Sequence, residues 1–245
     1  MTPGQLVKAM SIALDVPEET VVQHDRNLVV AGLRTKGGRG RSAPEVTTLD
    51  AARLFIAVLG SMRTKDSVAT VKQFDGTIFQ ADKPTYIYIA GVKLHLEGDP
   101  EALEFDSAIA RLPLNHNIIE ALAALIHEAS QPIEDLQSFF DRFAELGVSC
   151  SSPSACAKIG GDRYIRYSPV EESQNQTPRN RDERHYYAWG VQQERSAHGS
   201  AIMLLGAAFR ENGLRYSNAY EAYLAGYGTH DRGRGCHDAQ QGVVG

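Results

Sequence analysis

A proline that separates two helical patterns constrains the first part of this chain most strongly. Thr2 and Gln5 form a capping-box signature for the start of a helix. Apolar side chains then recur at helical spacing: Leu6, Met10, Ala13 and Leu14. Pro17 disfavours the helical conformation for Val16 but suits the first turn of a new helix. The sequence therefore predicts a helix, a tight turn and a second helix.

The second helix is predicted from about Pro17 to Ala31, and Gly32 is predicted to end it. Val21 and Leu28 are expected on its inward face. Its outward face is expected to carry side chains that hydrogen-bond to base edges or phosphates: Thr20, Gln23, His24, Arg26 and Asn27. A polar outward face of this kind favours contact with nucleic acid.

A basic, glycine-rich segment follows the second helix. Four cations lie in this segment among glycines, and no acidic residue lies between them: Arg34, Lys36, Arg39 and Arg41. Glycine permits tight turns and close backbone approach, and arginine and lysine neutralise phosphate. We interpret residues 34–47 as a hairpin that contacts the DNA backbone, although such a loop also occurs as a solvated hairpin without a ligand.

Residues 16–33, followed by Lys36-Gly-Gly-Arg-Gly-Arg41, resemble the winged helix-turn-helix of bacterial and phage regulators. A valine-proline turn, a Thr-Val pair, a Leu-x-x-Ala-Gly-Leu helix end and a glycine-basic wing recur in that family. The resemblance covers about the first quarter of the chain. It implies that the second helix enters the major groove and that the basic hairpin is the wing. Winged helices also serve as protein-interaction modules.

Glu18 and Glu19 depart from this pattern, because carboxylates at the start of a groove-facing helix repel phosphate. They either stabilise the helix dipole or accept a hydrogen bond from a cytosine amino group. The charge is nevertheless uneven along the chain. Residues 1–65 carry nine Lys or Arg and six Asp or Glu, a net +3, while the whole chain carries −5. A positive end on an acidic body indicates a local DNA contact.

The fold class expected is α+β, an N-terminal winged helix-turn-helix followed by a helix-rich α+β body. A third helix is predicted from Thr48, its N-cap, to Gly60. Residues 1–65 are assigned to the DNA-binding domain. Residues 66–245 are assigned to the body, which is expected to serve oligomerisation or partner binding.

Within the body, residues 85–97 give the strongest strand pattern, with Gly91 at a bulge or bend. Helices are predicted at 99–109, at 117–129 and from Pro132 to Gly147. Residues 68–74 suit a strand or a short helix, and residues 77–79 follow a turn. Residues 149–161 are predicted as a loop, 164–167 as a strand and 169–183 as an exposed linker. The apolar residues 201–209 suit either a helix or a buried strand.

Targeting and chemical motifs give little support to other classes of protein. The chain has no secretory signal pattern and no run of ~18 apolar residues, and three cysteines are expected as thiols in a cytoplasmic protein. A zinc site from Cys150, Cys156, Cys236 and His237 is disfavoured, because its spacing lacks a close cysteine pair. His116 and Glu120 share a helix face, but no hydrolase motif accompanies them. We therefore expect no catalytic residues, no metal and no cofactor.

The function expected is that of a sequence-specific, double-stranded DNA-binding transcription regulator of phage or mobile-element type, acting as a homodimer without membrane contact. The C-terminal body offers room for a protein partner. One alternative is the DNA-recognition subunit of a larger machine, such as a small packaging-motor subunit or a replication-initiation factor. Another is an enzyme that carries a winged module.

Overall fold

A computed structural model describes residues 1–36, 45–80, 108–109, 111–113, 115–131 and 194–210. It also describes the strand backbones at 85–89, 92–96, 145–149, 155–159 and 163–169, together with the side chains of Tyr167 and Ser168. The helices of these residues are α1 Pro3–Leu14, α2 Glu18–Val30, α3 Thr48–Gly60, a 3-10 helix Thr64–Asp66, α4 Ser67–Asp75, α5 Ile118–Ser130 and α6 Gly199–Arg210.

The strands are β1 Thr77–Gln80, β2 Thr85–Ile89, β3 Val92–Leu96, β4 Glu145–Ser149, β5 Ala155–Ile159, β6 Arg163–Pro169 and β7 Glu194–His198. Five of them form an antiparallel sheet in the order β1-β6-β5-β4-β7. Strands β2 and β3 form a separate hairpin in which Thr85 lies opposite Leu96. These elements combine helices with a small antiparallel sheet, as an α+β fold requires.

Local signals account for the ends of α1 and α2. Thr2 and Gln5 form the predicted capping box at the start of α1, and α1 ends at Asp15, whose φ of 51° is left-handed. Helix α2 ends in a Schellman motif: Gly32 has a φ of 71°, and the amide of Leu33 donates to the carbonyl of Leu28 at 2.9 Å. The predicted turn and second helix are therefore confirmed.

Helix α3 has the predicted bounds, but the prediction of Thr48 as its N-cap is wrong. Thr47 occupies that position, and its hydroxyl accepts a hydrogen bond from the Asp50 amide at 3.1 Å. The Asp50 carboxylate accepts in return from the Thr47 amide at 2.9 Å, which completes a reciprocal cap. Thr47 and Thr48 are adjacent and both suit a cap by residue type, so the sequence alone does not distinguish them.

One connected core joins the first three helices to the helices that follow. Leu54, Phe55 and Ile56 of α3 are fully buried, because α3 packs against α2, α4 and α5. Helix α6 packs against both α1 and α5. The division at residue 65 stays a prediction, but α1 and α3 bury their apolar faces partly against helices beyond it.

Several predictions for the body are decided by the backbone. Residues 67–75 form a helix and residues 199–210 form another, which resolves the two ambiguous patterns. The pattern at 85–97 contains the two strands β2 and β3, and residues 77–80 and 163–169 are also strands. Gly91, predicted at a bulge or bend, lies outside the described residues. The helix at 117–129 is α5, with Asn117 as its N-cap. The predicted helix at 99–109 and the linker at 169–183 lie almost wholly outside the described residues.

Two body predictions are wrong. The helix predicted from Pro132 to Gly147 fails at its end, because residues 145–149 form β4, and the loop predicted at 149–161 contains β5. Strand β4 is hydrogen-bonded on both sides, with Gly147 opposite Cys156 of β5 and Ser196 of β7. Such pairing outweighs weak local preference, and neither partner is visible from the segment itself. None of the helices described is both long and apolar enough to cross a bilayer.

Candidate nucleic-acid interface

Helix α2 presents one exposed stripe to solvent. Its members are spaced three or four residues apart, so they share a face: Glu19, Gln23, Arg26 and Val30. Val30 is 81% exposed, which shows that no described element covers the end of this face. Gln23 and Arg26 are thus accessible, and their contact with bases stays a prediction.

His24, predicted on the outward face, is instead buried, with 3% of its surface exposed. Its Nδ1 lies 2.8 Å from the Ser67 hydroxyl. Because that hydroxyl donates to the carbonyl of Thr64, Nδ1 carries the proton and donates to Ser67. Burial, and next the charge of Arg195, lower the pKa of His24 to about 4. The assignment of His24 to DNA is therefore wrong, since a neutral, buried imidazole does not reach a groove.

Thr20 and Asn27 are half-buried. The amide nitrogen of Asn27 donates to the carbonyl of Thr64 at 2.7 Å, so this side chain holds the 3-10 helix against α2. The prediction that Asn27 presents its side-chain amide nitrogen to bases is therefore wrong, because that nitrogen is hydrogen-bonded within the fold. Residue type alone gave no sign of this, because the carbonyl that Asn27 binds lies 37 positions away.

Arg34, predicted to contact phosphate, forms an internal ion pair. Its guanidinium Nη2 lies 2.7 Å from Asp25 Oδ2, its Nε pairs with Oδ1 of the same carboxylate, and its Nη1 donates to the Thr35 carbonyl. Only 4% of the Arg34 side chain and 14% of the Asp25 side chain are exposed. The phosphate assignment of Arg34 is therefore wrong, because a bidentate carboxylate already binds its charge.

The buried carboxylate of Asp50 holds together the two ends of the predicted wing. Its Oδ1 accepts from the Thr35 amide at 2.9 Å and its Oδ2 accepts from the Thr47 amide at 2.9 Å. Burial alone would raise the pKa of Asp50, but these hydrogen bonds outweigh it and hold the pKa below its ordinary value. The Val46 amide also donates to the Met1 carbonyl. The segment between 35 and 47 therefore begins and ends at one carboxylate.

Of the other three cations of the predicted wing, the structure describes only Lys36. Lys36 is exposed and directly follows Thr35, whose amide binds Asp50. Arg39 and Arg41 lie outside the described residues, so their assignment to phosphate stays a prediction.

Two further cations near α2 are not among the residues that sequence analysis assigns to DNA. Arg63 and Lys65 are exposed, and they flank Thr64, whose carbonyl binds Asn27 of α2. The only signal in the sequence is their basic character. Their position beside α2 depends on the long-range hydrogen bonds of His24 and Asn27.

The imidazole of His116, considered for hydrolase chemistry, is part of the core. His116 Nδ1 lies 2.7 Å from the Pro113 carbonyl, so it donates there, and Nε2 accepts from the Tyr167 hydroxyl at 2.8 Å. The ring stacks on Phe79 with 5.1 Å between centroids. Burial lowers the pKa of His116 and raises that of Tyr167. Both nitrogens are occupied, so the ring is arranged for packing rather than for proton transfer.

Glu120, which the hydrolase alternative pairs with His116, serves as a helix cap. Its carboxylate accepts from the Asn117 amide at 2.9 Å. No group of three potential metal-binding side chains occurs among the residues whose side chains are placed. Of the four residues considered for zinc, the backbone of Cys156 lies in β5, and Cys150, Cys236 and His237 lie outside the described residues.

The candidate surface therefore consists of three features. They are the exposed polar stripe of α2, Lys36 beside the ends that Asp50 holds together, and the cations beside the 3-10 helix. Comparison of the chain with protein-family models, with curated proteins and with solved structures found no match.

Proposed function

We propose that this protein is a sequence-specific, double-stranded DNA-binding regulator of transcription that acts as a homodimer. In this proposal residues 1–65 form a winged helix-turn-helix unit, with α1 and α2 as the helix pair and the segment anchored at Asp50 as the wing. The phage or mobile-element type follows from the resemblance of residues 16–41 alone.

The observation that carries the proposal is the exposed stripe of α2, with exposed cations beyond its C-terminal end and beside the residue that Asn27 binds. Gln23 and Arg26 are exposed on one helix face. Exposed Lys36 follows the C-terminal end of this helix, and exposed Arg63 and Lys65 flank the residue that Asn27 binds. A polar helix face with cations on its borders suits a duplex, because the cations position the helix on phosphate while the face meets base edges.

The chemistry of the Gln23 and Arg26 side chains limits the bases that the exposed stripe can recognise. Arginine donates a bidentate pair to guanine O6 and N7, and glutamine binds the N6 and N7 atoms of adenine. Arg26 and Gln23 lie three residues apart and therefore nearly one helical turn apart, so they reach neighbouring base pairs. We expect a half-site that contains a guanine and an adenine close together.

The test is selection of bound sequences from random duplex DNA by the full chain at a fixed salt concentration. The wild type is expected to enrich an inverted repeat, and Arg26→Ala is expected to lose the preference at one guanine at a cost of about 1–3 kcal/mol. Gln23→Ala is expected to act at a different position. Lys72→Ala, on exposed α4 surface, is the matched control and is expected to leave the selected sequence unchanged.

Two results would contradict the proposal. One is the absence of any enriched sequence with the wild type, and the other is an unchanged selection by both Gln23→Ala and Arg26→Ala. Sedimentation equilibrium supplies the mass: a dimer agrees with the inverted repeat, whereas a ring of many subunits favours the recognition subunit of a larger machine.

A further inference from the structure

We infer that Arg63–Asp66, here named the basic turn, is a second phosphate-binding element, with Arg63 and Lys65 as its cations and the backbone of double-stranded DNA as its ligand. This inference rests on the proposed function and extends it. It assigns a binding role to a segment that lies outside the helix pair and outside the wing.

Two hydrogen bonds fix the basic turn along one side of α2. Asn27 donates to the Thr64 carbonyl at 2.7 Å, and three residues earlier His24 donates to Ser67 at 2.8 Å. Asn27 lies four residues after Gln23 and is therefore next to it on the surface of α2, whereas His24 lies further round the helix on its buried side. The basic turn therefore keeps a constant place relative to the exposed stripe, which a phosphate contact requires if it is to set the register of a helix in a groove.

The charges of the basic turn are available to a ligand. Lys65 is exposed, and 68% of the Arg63 side chain is exposed. Arg63 Nε lies 3.0 Å from Asp66 Oδ2, but an ion pair at the surface contributes little and is readily exchanged for another anion. This pair contrasts with Arg34, whose guanidinium is 4% exposed and is bound by both oxygens of Asp25. The basic turn thus supplies the accessible charge that Arg34 does not.

The two exposed acidic residues of α2 lie at its other end, and the third, Asp25, is bound by Arg34. Glu18 and Glu19 are in the first turn, whereas the basic turn meets α2 two turns later, at Asn27. This separation gives α2 an acidic start and a cationic flank beside its second half. A polyanion that follows the cationic flank avoids the acidic start, which indicates how the two glutamates are accommodated.

The inference is tested by the salt dependence of duplex binding by the full chain, measured by fluorescence anisotropy with the selected duplex and with an unrelated duplex. Each phosphate contact contributes about 0.9 to the slope of log affinity against log salt. Arg63→Gln combined with Lys65→Gln is therefore expected to reduce that slope by about 1.8 and to weaken binding to both duplexes by about 30-fold at physiological salt. Lys72→Gln, the charge-matched control, is expected to leave the slope unchanged.

Asp66→Asn provides a test of opposite sign. It removes the carboxylate beside Arg63 without removing a helix-capping hydrogen bond, since Asp66 makes none through its side chain. Binding to both duplexes is expected to strengthen several-fold. A purely structural role of the Arg63–Asp66 pair would instead give weaker or unchanged binding, and that result would overturn the inference.

The outcomes separate the two proposals. If the wild type binds the selected duplex and Arg26→Ala impairs it, but the Arg63 and Lys65 changes leave the slope intact, the basic turn is excluded and the proposed function remains. If those changes weaken only the selected duplex, the contact is to bases and the phosphate assignment is overturned. If the wild type binds no duplex, both proposals are overturned. Thermal unfolding confirms that each variant is folded.

Discussion

His24 and Asn27 show why a residue type does not by itself identify a binding residue. Both carry groups that suit base recognition, and both lie on the helix that the sequence favours for it. In the fold their groups bind Ser67 and the carbonyl of Thr64, which lie 43 and 37 positions further along the chain. The polar groups of these two residues are satisfied by tertiary contacts, which local spacing does not reveal.

The buried imidazole of His24 predicts an acid-sensitive fold. Its pKa is about 4 in the folded chain, below the ordinary value of 6.5, so the unfolded chain binds more protons between these values. The free energy of unfolding is therefore expected to fall as pH is lowered from 6.5 to about 4, and this contribution is fully present above 6.5. We expect His24 to contribute a loss of about 2 kcal/mol after allowance for solvent screening.

His24→Asn is the matched variant for this prediction, because an asparagine amide can still donate to the Ser67 hydroxyl but does not titrate. Urea unfolding at a series of pH values is expected to show a smaller decline for the variant between pH 6.5 and 4. Superimposable pH profiles for the two proteins would show that His24 is not the group responsible.

At the scale of elements, the sequence predicted the helices better than the sheet. The bounds of α1, α2, α3 and α5 agree with the prediction to within about two residues, which is the ordinary uncertainty of helix ends. Their caps and apolar spacings are local, as the Thr2–Gln5 box and Gly32 illustrate. Strands β4 and β5 were missed because strand formation there depends on partners such as β6 and β7.

The same distinction applies to the binding surface. The exposure of Gln23 and Arg26 follows from the period of α2, and helical spacing was enough to predict it. The ion pair of Arg34 with Asp25 and the position of Arg63 beside α2 depend on contacts between different segments of the chain. Charge patterning therefore indicated the region that is proposed here, but it did not identify which cations are accessible.

Helices α5 and α6 approach so closely at one glycine that a methyl group has no room. A Cβ at Gly206 would lie 2.4 Å from the backbone carbon and from the Cβ of Ala129. Gly206→Ala is therefore expected to lower the free energy of unfolding by about 1–3 kcal/mol, because the two helices must move apart. Chemical denaturation of the full chain measures this change.

Gly4→Ala is the control for Gly206→Ala. Gly4 lies in the first turn of α1, and no atom is within 4 Å of the position its Cβ would occupy. This change is expected to be neutral or to stabilise by about 0.5 kcal/mol through reduced freedom of the unfolded chain. Equal destabilisation by both changes would contradict the close approach of α5 and α6.

At the scale of the whole molecule, two arginines from late in the chain bind the ends of earlier helices. Arg195 of β7 donates to the carbonyls of Val58 and Ser61 at the end of α3, at 3.3 and 2.9 Å. Arg210 of α6 donates to the carbonyl of Ala129 at the end of α5, at 2.8 Å. A cation at this end of a helix satisfies free carbonyls and opposes the negative end of the dipole.

Arg195→Ala is expected to have two separable effects. The loss of donors to the α3 carbonyls is expected to reduce the free energy of unfolding by about 1–3 kcal/mol. Burial, the larger cause of the lowered pKa of His24, stays in this variant, but removal of the positive charge is expected to raise that pKa above about 4, which nuclear magnetic resonance titration of the imidazole measures. Arg210→Ala is expected to reduce stability similarly but to leave the pKa of His24 unchanged. A His24 pKa that moves equally in both variants would refute this coupling.

The carboxylate of Asp50 also has an evolutionary consequence. Because it clamps Thr35 and Thr47 to one point, the fold itself closes the loop between them, and the entropy of closure grows only slowly with loop length. Insertions, deletions or new side chains between those two threonines thus leave the surrounding helices almost unperturbed. Under the proposed function, target preference can diversify in this segment while the helices that hold its ends are inherited intact.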